Sequence, residues 1–175
     1  MKKTLITLLT SSILITSPIV ANAKTVKPFE GSWHSCFMYQ GSKICTGYTL
    51  LQRKQNVCGN WSYFATGIYQ GQLQAIANGR TTAKLTKICG RSGSNTQTEC
   101  KTNPLVADET NWEIPTGDVT ALKLCNGKLV EGSGSCKSLI KQNSGYRYSA
   151  LSSVKKQKLL AEPWMQSCLT EKPIR

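Results

Sequence analysis

The chain has 175 residues, a net charge of +13, eight cysteines and one histidine. Its length suits one domain with a real core, and past the N-terminal stretch no apolar run is long enough to cross a bilayer as a helix. One histidine cannot build a His-rich metal site, and nine acids leave few groups for acid–base chemistry.

Residues 1–23 read as a cleaved signal peptide. Met1-Lys2-Lys3 is a positive start, the following apolar stretch is broken by Pro18, and Ala21-Asn22-Ala23 supplies the small-x-small cleavage pattern. Residues 24–175 are then a single β-rich domain, periplasmic or secreted. Loss of Lys2 and Lys3 leaves +11, a surplus that attracts anionic partners or serves solubility alone. The bases are scattered, and only Lys155-Lys156-Gln157-Lys158 forms a run.

From Gly31 the pattern is that of strands. Trp33, Phe37 and Tyr39 share one parity, as do Ile44, Thr46, Tyr48 and Leu50, and then Val57, Gly59, Trp61, Tyr63 and Ala65. Gln40-Gly41-Ser42 is a turn, and Arg53-Lys54-Gln55-Asn56 is a polar connection. Gln72–Ala77 and Thr82–Ile88 flank an Asn78-Gly79 turn, a strong hairpin signal. Cys89 to Pro104 is polar and reads as an exposed loop. Val119–Cys125 and Lys128–Glu131 form a hairpin about Asn126-Gly127, and Tyr146–Ala150 is a further strand. Ser152–Ala161 has helical composition, with Pro163 placed to end it. The fold class is all-β: one small antiparallel meander barrel or closed sandwich with one short C-terminal helix.

Gly31-Ser32-Trp33 resembles the G-x-W opening of lipocalins and related small barrels. That resemblance implies that Trp33 plugs the closed end and that an Arg from a late strand, Arg147 of GYRY, packs over it. It implies nothing here about a ligand.

All eight cysteines fall in the mature chain, and an even number in an exported protein points to disulfides. Short turn-bearing segments separate Cys36/Cys45, Cys89/Cys100 and Cys125/Cys136, so each pair can close across a hairpin. Cys58 and Cys168 remain, and their bridge would close the longest loop, worth about 4 kcal/mol in the chain-entropy model.

His34 and Cys36 share one strand face, the spacing of a nucleophile and its base. Oxidation of Cys36 to Cys45 removes the thiolate, and the stretch reads as a stapled hairpin. A Ser/His/Asp site would need His34 with Asp108 or Asp118, without a nucleophile-elbow motif. Asp108, Glu109 and Glu113 read as a solvated loop rather than a paired-carboxylate site. No catalytic, cofactor or metal residue is assigned, and no nucleic-acid partner is expected, because alternation places the aromatics in a core.

A stiff scaffold with polar loops suits binding. The expected function is a non-catalytic periplasmic binding protein whose partner is another exported, acidic protein. An inhibitor or immunity-type protein acting on a secreted or wall-degrading enzyme is the concrete version. The alternative is binding of an anionic envelope glycan or lipid by the basic surface, and a periplasmic hydrolase is the third reading. With the aromatics in the core, recognition falls to loops. Arg91 and Lys101, in the loop from Gly90 to Lys101, are the candidate partner-binding residues, and Gly132–Ser135 is the second choice. This framework carries a chemical test: native oxidised protein should offer no thiol to an alkylating reagent, and one labelled cysteine would break the even pairing.

Overall fold

The structure, a computed structural model, describes residues 26–64, 68–90, 100, 112, 114–115, 120–142 and 144–172. The expected signal peptide lies outside the described residues.

Eight antiparallel strands form a closed barrel in sequence order. They are β1 (Gly31–Tyr39), β2 (Ser42–Arg53), β3 (Asn56–Phe64), β4 (Ile68–Asn78), β5 (Thr82–Cys89), β6 (Ala121–Cys125), β7 (Lys128–Glu131) and β8 (Tyr146–Ser149). Of the two all-β arrangements the alternation allows, the chain takes the barrel. Several of the described hairpins turn through positive φ. Gln40 (47°) precedes Gly41 (77°), and Asn126 (51°) precedes Gly127 (75°), the pairing of a two-residue primed turn. The polar connection expected over Arg53–Asn56 shrinks to Lys54-Gln55, because Arg53 and Asn56 already pair across β2 and β3.

Alternate residues fill the barrel: Trp33, Tyr48, Leu50, Val57, Trp61, Leu73, Leu85, Leu122, Leu129 and Tyr146 belong to one buried cluster. Phe29, fully buried, closes the end below β1, and the Trp33 indole donates to its carbonyl at 3.0 Å. Gln52, also buried, accepts from the Phe29 N–H at 3.1 Å. Trp33 therefore packs at the plugged end, but Arg147 does not cover it. Arg147 pairs with His34 on the outer wall and is exposed. Tyr148, of opposite parity, meets Trp33 edge-on with centroids 5.1 Å apart. Gly31 makes room for that ring, since a Cβ there would lie 2.3 Å from it. The first glycine of G-x-W is thus needed here for close approach of an aromatic rather than for backbone strain.

Three helices pack outside the barrel: α1 (Cys136–Gln142), α2 (Ser153–Leu160) and α3 (Pro163–Thr170). Ser152 caps α2, its hydroxyl accepting from the Lys155 N–H at 3.2 Å. Only α2 was expected. Pro163 does not merely end it: it occupies the first turn of α3, where a missing N–H costs nothing. Beneath α2 and α3, the outward side chains Leu51 and Cys58 join Leu159, Met165, Cys168 and Leu169 in a second core. The Asn56 amide donates to the carbonyls of Cys168 (3.1 Å) and Glu171 (2.6 Å), which the end of α3 leaves without helical partners.

The disulfides are Cys36–Cys45, Cys58–Cys168, Cys89–Cys100 and Cys125–Cys136, the pairs that the spacing argument selects. Cys58–Cys168 spans 110 residues and Cys36–Cys45 spans nine. Because closure entropy grows with the logarithm of loop length, removing the long bridge should cost about 2 kcal/mol more than removing the short one. Urea unfolding of the two paired Cys→Ala variants measures this, and equal losses would show that α3 is held by its apolar face alone.

Candidate interaction surface

Strand β8 pairs with β1 only over Ser32–His34, and β3 reaches β2 only as far as Cys45. Past those points, among the described residues, β1 and β2 pair only with each other, from Phe37 to Tyr39 and from Ser42 to Ile44. A bare two-stranded ribbon is marginal in water. Here Cys36 and Cys45 are direct cross-strand partners, with Cα atoms 4.1 Å apart, and the disulfide fixes the register of the projecting tip.

That tip is apolar and exposed. Phe37 is 53% accessible, Met38 66%, Tyr39 57%, and Phe64, beside Cys45 on β3, 49%. Alternation expects the strand aromatics to lie inside, and for these residues the expectation fails. The barrel wall ends before they do, so the inward parity of Phe37 and Tyr39 points past the core. The strands themselves carry exposed apolar side chains, Phe37 and Tyr39 on one face of the ribbon and Met38 and Phe64 on the other.

Below the tip, the outer wall carries two adjacent cations, Lys128 and Arg147, with the His34 imidazole beside them. Lys128 pairs with Arg147, Arg147 with His34, and His34 with Gly47, across β7, β8, β1 and β2. Like charges directly opposite on a sheet repel, and no acid is interposed among these register partners. Lys128 is partly satisfied through the Ser144 carbonyl at 2.9 Å. His34 is exposed on the face it shares with the oxidised Cys36. Among the described residues no group of three or more His, Cys, Asp or Glu side chains is placed to hold a metal.

A polar cluster sits inside the barrel. Tyr48 donates to Oε1 of Glu131 at 2.6 Å, and Tyr146 donates to the same oxygen. The two rings meet edge-on at 5.1 Å. The carboxylate thus braces β7 against β2 and β8. Burial first, and then the Glu131 charge, pushes the Tyr48 phenol well above its ordinary range and raises Tyr146 in the same way. Sequence reading missed this cluster. The available signal was Glu131 sharing the inward parity of Leu129 in KLVE.

Arg91, Lys101, Asp108, Glu109, Glu113 and Asp118 lie outside the described residues. The segment Gly132–Ser135 is a fastened bend leading into α1: the Lys123 ammonium donates to the carbonyls of Ser133 (3.1 Å) and Gly134 (2.6 Å). Comparison with family models, with curated proteins and with solved structures finds no match to this chain.

The tyrosine pair predicts an alkaline response. Both folded pKa values exceed the unfolded value of about 10. The protonated phenols therefore contribute stability that is complete below that pH and declines as pH rises above it. Unfolding free energy should fall above pH 10 with a slope of about 1.4 kcal/mol per pH unit for each phenol. Tyr146→Phe should remove one share of that slope. An unchanged slope, with Tyr146 ionising freely in the native ultraviolet titration, would contradict the assignment.

Proposed function

We propose that this is a non-catalytic exported binding protein whose partner is another exported protein. The single observation that carries the reading is the stapled β1–β2 tip with Phe37, Met38 and Tyr39 exposed beside Phe64. Aromatic and methionine side chains are enriched at the centres of interfaces, and a rigid presentation lowers the ordering cost of binding. A narrow ribbon projecting from a closed barrel has the shape to enter a cleft. This favours the concrete version, an inhibitor or immunity-type protein that blocks a secreted or wall-degrading enzyme. The pair Lys128–Arg147, with His34 beside it along the approach to the tip, favours a partner with an acidic rim, which would speed encounter more than it tightens the complex. Arg91 and Lys101 remain candidate contributors to the same charge.

The test begins with covalent capture of partners from envelope extract, followed by binding and enzyme assays with the purified partner. Phe37→Ala and Tyr39→Ala should each weaken association about ten-fold or more while changing stability by about half a kcal/mol or less. Arg147→Ala should lower the association rate and its salt dependence. A captured partner bound equally well by both aromatic variants would overturn the surface. An extract that yields only a glycan or lipid, released by salt, would overturn the protein-binding reading itself.

A further inference from the structure

Below the plugged end of the barrel, two hollows flank a single ion-pair cluster. One, of about 410 Å³, lies between the end of β2 and helices α2 and α3, and Leu51, Leu160 and Leu169 contribute apolar wall. The other, of about 500 Å³, is bordered by Val26, Tyr148 and Leu151. Lys27, Glu30 and Lys156 line both, so the cluster is the sill between two parts of one furrow.

Charge at the sill is unbalanced. Oε2 of Glu30 accepts from Lys27 at 3.3 Å and from the Gln52 N–H at 3.4 Å, while Lys156 holds Oε1. One carboxylate thus serves two ammonium groups, each of which has three donors. Arg53, on the rim of the first hollow, is exposed and makes no ion pair among the described residues. Partial burial works to raise the Glu30 pKa, but the hydrogen bond from Lys156, the charge of Lys27 and the Gln52 N–H outweigh it, and the group is held below its ordinary value. Glu30 therefore stays a fixed internal counterion, and the excess cationic charge faces the furrow. Leu160, 37% accessible, leaves apolar surface uncovered beside those cations.

We infer that this furrow binds a lipid-derived amphiphilic anion, its phosphate head against Lys27, Arg53 and Lys156 and its hydrocarbon chain against the accessible Leu160, in a wall backed by the buried Leu51 and Leu169. Three cations against one acid supply complementarity for the head. The leucines supply the apolar contact that a free inorganic ion could not use, and the furrow falls within the volume range of small-ligand sites. The site lies at the other end of the barrel from the β1–β2 tip and does not depend on the protein-binding reading. It gives the alternative reading, an anionic envelope ligand, a specific place on the molecule.

Calorimetry with dodecyl phosphate below its micellar concentration, on the purified full chain, tests this. Binding should saturate and be about ten-fold or more tighter than that of inorganic phosphate, dodecyl maltoside or dodecyltrimethylammonium. Lys156→Glu should weaken it about ten-fold, and so should Leu160→Asp, whose carboxylate removes apolar contact and repels the head. Arg53→Ala, which leaves the Glu30 pairs intact, keeps the test readable if Lys156→Glu fails to fold, and it should weaken binding several-fold. Absence of saturable binding would overturn the proposal. So would equal affinity for dodecyl maltoside, or wild-type affinity in Arg53→Ala and Leu160→Asp. Inorganic phosphate binding as tightly as dodecyl phosphate would overturn the assignment of a chain-bearing ligand.

Discussion

Closure of the barrel rests on the seam where short strands meet long ones. Neighbours among β1 to β4 share nine register pairs each, but β5 and β6 share three, β7 and β8 two, and β8 and β1 three. Backbone hydrogen bonding alone leaves that side thin, so side chains crossing the interior carry the remainder. Tyr48 on β2 and Tyr146 on β8 both reach the Glu131 carboxylate on β7, and Tyr148 locks edge-on to Trp33. A hydrogen bond to an ionised group is worth about 1.5–3 kcal/mol, so this one carboxylate offsets several missing ladder bonds. The same short seam frees the upper half of β1. Because β8 stops pairing at His34, the strand continues outward as a ribbon, and the exposed tip is a direct consequence of where closure ends.

The helices answer a second demand of the same wall. Leu51 and Cys58 point outward from strands that would otherwise face water, and α3 lays Met165, Cys168 and Leu169 over them. Asn56 ties off the carbonyls at the end of α3, and Cys58–Cys168 holds the helix against β3. With α3 fixed there and α2 capped by Ser152, the space between them and the N-terminal segment cannot close completely. The furrow around Glu30 is what remains. Both proposed surfaces therefore arise from the way the barrel is finished at its two ends rather than from the middle of the wall.

Much of this was legible in the chain. Alternation in β1 to β3 and turn residues at Gln40-Gly41 and Asn126-Gly127 are local signals, and local signals survive into the fold. Cysteine spacing was informative because three of the bridges join close neighbours in sequence. The misses share a different cause. Helix α1 is seven residues with Leu139 as its only buried member, too short for a helical stripe. Pro163 reads equally as a stop or as a first-turn residue, and only the packing of Met165 and Leu169 decides. Arg147 over Trp33 was an implication of the lipocalin resemblance, whereas strand parity turns Tyr148 to that position. Phe37 and Tyr39 alternate as core residues do, and nothing local reveals that β8 ends below them. The pairing of Glu131 with two tyrosines needs the register of three strands, which no single segment encodes.

Charge ties these features together. Glu30 is engaged by two lysines, Glu131 by two phenols, and the Glu162 carboxylate by the Trp164 indole. Nine acids against 22 lysines and arginines leave the chain a positive net charge of +13. Such a charge draws anionic partners but selects poorly among them, since beyond about 8 Å in physiological salt its field is screened. Selection must then come from contacts at short range, where shape and desolvation act. At one end these are the rigid aromatic and methionine side chains of the stapled tip, which reward a complementary protein surface. At the other they are leucines beside a partly neutralised cation cluster, which reward a chain joined to an anion. Net charge alone would distinguish neither proposed partner from any other polyanion, so in both proposals it is the apolar side chains that must supply specificity.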